Sequence, residues 1–133
     1  MKKLHFALAA LLACASLASQ AADLVVIANP AVGALTKDQV ADLFLGKSQA
    51  FTPIDQAESS AAYADFYKKA GGRDVAQVKA TWSRIVFSGK GQAPKQVADS
   101  AAMKKAVAAD PKAVGYIEKS AVDGSVKVLF ALD

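Results

Sequence analysis

Histidine and cysteine are almost missing from this 133-residue chain: each occurs once, as His5 and Cys14. Both fall in the opening stretch, so from residue 22 onward there is no imidazole and no thiol. Serine–histidine and cysteine–histidine catalysis, thiolate redox chemistry and the common histidine or cysteine zinc sites all need one or the other, and are excluded. A disulfide is excluded too, so a domain of this size must rely on its apolar core. Carboxylate chemistry survives in principle, yet the 12 acidic residues show no close pair with apolar flanks that would drive two pKa values apart. The expectation is a protein that is not an enzyme and carries no metal and no cofactor.

A long apolar run is lacking as well. Lys2 and Lys3 precede an apolar stretch from Leu4 to Ala18, short of the ~20 residues a membrane-spanning helix needs. It reads as a secretory signal. Small residues in Ser19-Gln20-Ala21 place the cut after Ala21, so residues 1–21 form the signal and residues 22–133 a single exported domain, periplasmic in location. Taking 21 residues from 133 leaves 112, enough for one core but not for two lobes. A second reading takes Leu11-Leu12-Ala13-Cys14 as a lipobox, which would make Cys14 a lipidated membrane anchor. With Lys2 and Lys3 gone, 14 basic residues face 12 acidic ones, a net charge of +2. The two signs are interspersed, and pairs such as Lys68-Lys69 and Lys104-Lys105 suit solvated helix faces, so no nucleic-acid partner is expected.

What is present alternates between strand and helix patterns. "LVVIA", Leu24 to Ala28, is a continuous β-branched-rich run that suits a strand covered on both faces. Thr36 and Gln39 have capping-box spacing, and Val40, Leu43 and Phe44 share a helical face before Gly46. A second strand is expected around Phe51 to Asp55, with Pro53 better suited to an edge or a strand start. Tyr63, Phe66, Tyr67 and Ala70 make one helical stripe ended by Gly71-Gly72. Val75, Val78, Trp82, Ile85 and Val86 mark a third helix, with Phe66 and Trp82 read as core. "SGKGQAP", Ser88 to Pro94, is a linker; its Gly-Lys-Gly fails as a phosphate loop because Arg84 stands where the first glycine is needed and Gly91 where the hydroxyl is needed. A fourth helix from Ser100 to Ala109 turns Met103, Ala106 and Val107 inward. Val114 to Glu118 and Val126 to Leu132 then form two strands joined around Asp123-Gly124, expected to be antiparallel, with Val126, Val128 and Phe130 on one face. The fold class is α/β, a mixed sheet of about four strands flanked by helices.

"LTKDQVADLFLGKSQ" (Leu35 to Gln49), the turn and helix from Asp55, Trp82, "GKGQAP" and "VGYIEKSAVDGSVKVL" (Val114 to Leu129) follow one another in an order that resembles the second lobe of periplasmic phosphate-binding proteins of ABC transporters. The short, single-lobe substrate-binding proteins of that group are more similar still. The resemblance implies one lobe of a type II periplasmic-binding-protein-like fold, which would present a loop and a helix N-terminus to a cleft. It also implies phosphate or a similar oxyanion as ligand. Family members hold phosphate with a segment of the form Arg-x-Asp-Gly-Ser-Gly-Thr, which falls here on Gln56-Ala57-Glu58-Ser59-Ser60-Ala61-Ala62. Only Ser60 is unchanged; the arginine is Gln56, the acid is Glu58, and both glycines carry side chains.

Two readings use the same physics. A helix N-terminus offers unpaired N–H groups and a positive dipole end, so Gln56, Glu58, Ser59, Ser60, Ala61 and Ala62 form a candidate anion site, with Lys90 closing over it. Alternatively, Ser59 or Ser60 simply caps the helix and Glu58 satisfies its dipole. Without the guanidinium, and with half a cleft, binding by a monomer is expected to be weak. A homodimer or a separate protein would supply the other wall. The competing expectation is an envelope interaction or sensing module that no longer binds a ligand, betrayed by exposed apolar area beside the turn.

Overall fold

The computed structural model describes residues 23–132. The expectations placed on residues 1–21, including the fate of Cys14, lie outside the described residues.

Strand β1 (Leu24–Ala28) is buried along its whole length and sits between two neighbours. Leu24, Val26 and Ala28 enter one core layer, and Val25 and Ile27 enter the other. That is why this run is apolar at every position rather than at alternate ones. Helix α1 (Lys37–Phe44) starts at the Thr36–Gln39 capping box and buries Val40, Leu43 and Phe44 against the first layer. Strand β2 (Thr52–Gln56) follows, then helix α2 (Ala61–Gly71), which is stopped by Gly72 in the left-handed conformation (φ 65°). Tyr63, Phe66 and Tyr67 of α2 are buried in that first layer too.

Helix α3 (Val75–Phe87) begins at a second capping box, Asp74 and Gln77. Beyond the linker come β3 (Lys95–Val97), α4 (Ser100–Ala109), β4 (Ala113–Glu118), a 3-10 turn and β5 (Lys127–Leu132). Met103 and Val107 of α4 fill the second layer. Gly115 of β4 lets that helix approach, since a methyl group there would lie 2.5 Å from Met103 Sδ.

The sheet has five strands in the order β3-β2-β4-β1-β5. Strand β2 is parallel to β3 and β4, whereas β1 is antiparallel to β4 and β5. The strand beyond the expected four is β3, three residues at an edge, two of them exposed. Pro53 is the second residue of an interior strand, at a place where β3 does not yet pair with β2; that pairing begins at Ile54, so the missing N–H lacks no ladder partner on that side.

Three expectations are corrected. The last two strands are not an antiparallel pair; β1 lies between them and both run against it, so they are parallel to each other. The Asp123 turn exists, with Asp123 Oδ1 accepting from Ser125 N at 2.9 Å, but it belongs to a crossover connection. Val126, Val128 and Phe130 do not share a face, because a β-bulge opposite Val26 and Ile27 shifts the register and sends Phe130 to the first layer while Val126 stays with the second. Finally, Val78 is the one fully buried residue of α3, while Val75 and Trp82 are partly buried and pack against the first layer. Val86 is 50% exposed because the C-terminal half of α3 runs past the packed layer.

Candidate functional site

The parallel strand β2 ends where α2 begins, and most of the candidate residues gather at this junction. Such a strand end leaves a recess that open α/β sheets use for ligands. Ser60 is the N-cap: its Oγ accepts from the Ala62 N–H at 3.1 Å and donates to Gln56 Oε1 at 3.1 Å. Gln56 is buried, and its amide nitrogen donates to the Tyr116 carbonyl at 3.0 Å and to Ser100 Oγ at 3.2 Å. Gln56 and Ser60 together form a strut that fixes the turn to the sheet, and their polar atoms face each other.

Ala62 is buried with its N–H satisfied by the cap, whereas Ser59 and Ala61 are exposed. Neither the Ser59 N–H nor the Ala61 N–H has an acceptor among the described residues. Glu58 does not fold back on these amides; its carboxylate pairs with Lys79 of α3 at 3.1 Å, both side chains being about half exposed. The capping reading thus holds for Ser60 and fails for Glu58. Lys90 is exposed in the linker, where its carbonyl accepts from Gln49 Nε2 at 2.9 Å.

Behind the turn lies an acid that the sequence reading passed over. Asp55 is 3% exposed, and its two carboxylate oxygens accept from Tyr67 at 2.8 Å and from Tyr116 at 2.9 Å. The Tyr116 hydroxyl in turn accepts from the Gln56 N–H at 3.1 Å. Burial pushes the Asp55 pKa up to about 7; the two tyrosine hydroxyls pull it back and the charge of Glu58 adds to the rise. Burial likewise raises Tyr67 and Tyr116, with Asp55 adding to the shift, and lifts Tyr63 to about 12. The sequence shows no close pair of acids with apolar flanks; the acid that burial shifts upward is a single one, Asp55. The available signal was its position at the buried end of a strand, followed by tyrosines at 63 and 67 in the next helix.

Asp55 and Glu58 both line a cavity of about 440 Å³ whose walls include Tyr63, Trp82, Val86 and Phe87. Trp82 is oriented by its indole N–H, which donates to the Phe44 carbonyl at 2.9 Å. Phe87 is 96% exposed. No group of three or more acidic, histidine or cysteine side chains that could hold a metal occurs among the described residues.

An ABC-type phosphate transport receptor from Vibrio cholerae superposes with a TM-score of 0.63 at 24% identity, over 81% of this chain and 45% of its own. This chain shares the fold of part of that receptor. A putative phosphate ABC transporter substrate-binding protein with bound phosphate, from Clostridium perfringens, gives 0.63 at 20% identity over 81% and 44%. PstS from Borrelia burgdorferi gives 0.60 at 14% over 82% and 47%. This chain spans a little under half the length of each, and at these identities the likeness is one of fold. No family model and no curated protein matches the sequence. These neighbours are binding proteins.

Proposed function

We propose that this protein is an exported, non-enzymatic solute-binding module of the cell envelope that holds phosphate or a similar oxyanion at the opening turn of α2. Export rests on residues 1–21, with Cys14 as the alternative route to a membrane anchor. The direct contacts are the N–H groups of Ser59 and Ala61 and the Ser59 hydroxyl; Gln56 and Ser60 position the turn, and Ala62 closes the cap. The observation that carries this reading is the diversion of Glu58 to Lys79, which leaves the positive end of the α2 dipole without its own carboxylate. The neighbours' phosphate function supports the choice of an oxyanion. Binding to the monomer is weak because the position that carries arginine in the resembling family's segment is the uncharged Gln56 here. A second copy or a partner protein completes the wall.

Isothermal titration with phosphate and sulfate at low salt, on the wild type and on Ala61→Pro, tests the proposal. Proline is tolerated at the first helical position, and Ser60 already has the extended backbone that a following proline requires (ψ 136°). The variant therefore deletes one amide hydrogen and keeps the helix. Loss of binding with unchanged helicity is expected; equal binding by both proteins would refute the site.

One observation favours a second reading, a protein-interaction module. Phe87 and Val86 place exposed apolar surface beside the turn.

A further inference from the structure

We propose that the cavity between α3, the end of β2 and the segment from Ala93 to Gln96 binds a small organic cation, with Asp55 as its counter-charge and the rings of Tyr63, Trp82 and Phe87 as its walls. This site is separate from the α2 amides and does not rest on the oxyanion reading. Its walls are mainly apolar, with Val86, Ala93 and Pro94 beside the three rings. At about 440 Å³ it is within the range of small-molecule sites.

The sign of the ligand's charge follows from the lining. Of the charged residues there, Glu58 and Lys79 pair with each other at 3.1 Å, which leaves Asp55. Each Asp55 oxygen accepts one tyrosine hydroxyl, and a carboxylate has about four acceptor positions. Spare acceptor capacity remains, in a setting where burying the charge without a cation is costly. An inorganic oxyanion would meet a like charge at the floor. A bare metal ion would find too few ligands, since calcium and magnesium take six or more oxygens and zinc four donors, whereas no group of three acidic, histidine or cysteine side chains occurs among the described residues. An ammonium carried on an apolar body satisfies both the carboxylate and the aromatic faces.

Proton competition makes the inference measurable. The groups facing Asp55 are Tyr67 and Tyr63 of α2, Tyr116 of β4 and Glu58 of the turn, with Lys79 of α3 across the cavity. None of the tyrosines ionises below pH 9, because all three are shifted upward. With Asp55 raised to about 7, a cation must displace its proton at lower pH.

The test is calorimetric titration of the purified protein with phenethylammonium, which stays protonated throughout, and with 2-phenylethanol as its neutral counterpart. Affinity for the ammonium is expected to rise about tenfold from pH 6 to pH 8, the change one proton with a pKa near 7 imposes, and the alcohol should bind at least tenfold more weakly. Asp55→Asn should abolish the pH dependence. Phe87→Ala, at a position the fold does not need, should weaken binding several-fold. Equal binding of ammonium and alcohol, a flat pH profile in the wild type, or full affinity in Phe87→Ala would overturn the proposal. Phosphate titrated alongside reports on the α2 turn alone, so either site can fail without the other.

Discussion

Tyr116 donates its hydroxyl hydrogen to Asp55 across 2.9 Å, joining the middle of β4 to the end of β2 inside the core. The same oxygen accepts from the Gln56 N–H. Tyr116→Phe removes both bonds while keeping the ring stacked on Phe66, whose centroid is 4.0 Å away. The Gln56 amide is then buried without a partner. A loss of about 1–3 kcal/mol is expected, measured by urea denaturation.

Asp55 also makes stability depend on pH in an unusual direction. Its folded pKa of about 7 lies above the ordinary value of 3.8, so the native state holds a proton that the unfolded chain releases. Between about pH 4 and pH 7 the folded protein binds more protons, and stability attributable to this group is full below that window and lost as pH rises through it. The difference in unfolding free energy between wild type and Asp55→Asn should therefore drift against the wild type as pH rises, and level off above pH 8. Paired denaturation curves at pH 4.5, 6 and 8 measure it; a constant difference would show that Asp55 titrates normally.

Close packing of α4 on β4 gives a third prediction. Gly115→Ala drives a methyl group toward Met103 Sδ and, at 3.2 Å, toward Val107 Cγ2, both side chains being fully buried. Destabilisation of about 1–3 kcal/mol is expected from such overpacking, visible as a lower midpoint in thermal unfolding.

Phe66 and Phe87 separate core from surface. Phe66→Ala should cost about 3–5 kcal/mol, whereas Phe87→Ser should stay within about 0.5 kcal/mol. If the exposed end of α3 is where a second copy docks, Phe87→Ser should lower the sedimentation-velocity mass of the wild type toward the monomer. An unchanged dimer would place the interface elsewhere.

Much of this architecture was legible because local signals agreed with it. The all-apolar Leu24–Ala28 run required cover on both faces, and the Thr36–Gln39 box marked the start of α1 at its true residue. What escaped was non-local. Nothing in Val126–Leu132 reveals the bulge, because it arises from pairing with Val26 and Ile27. Strand β3 has no apolar alternation to betray it and exists through its pairing with β2. At the site, residues 56 to 62 run from the end of β2 through a turn into the first residues of α2, and the sequence marked the start of a helix there. It could not divide them into the buried strut of Gln56 and Ser60 and the outward amides of Ser59 and Ala61. Nor could it bring Tyr116 to Asp55, 61 positions away.

The central claim, that the opening amides of α2 grip an oxyanion, is tested most directly by following backbone amide resonances of the labelled protein during a phosphate titration. The account predicts that the Ser59 and Ala61 amides show the largest, saturable shifts, with Glu58 and Ser60 following. Unmoved Ser59 and Ala61 resonances, or shifts centred on the basic surface around Lys68 and Arg73, would contradict it.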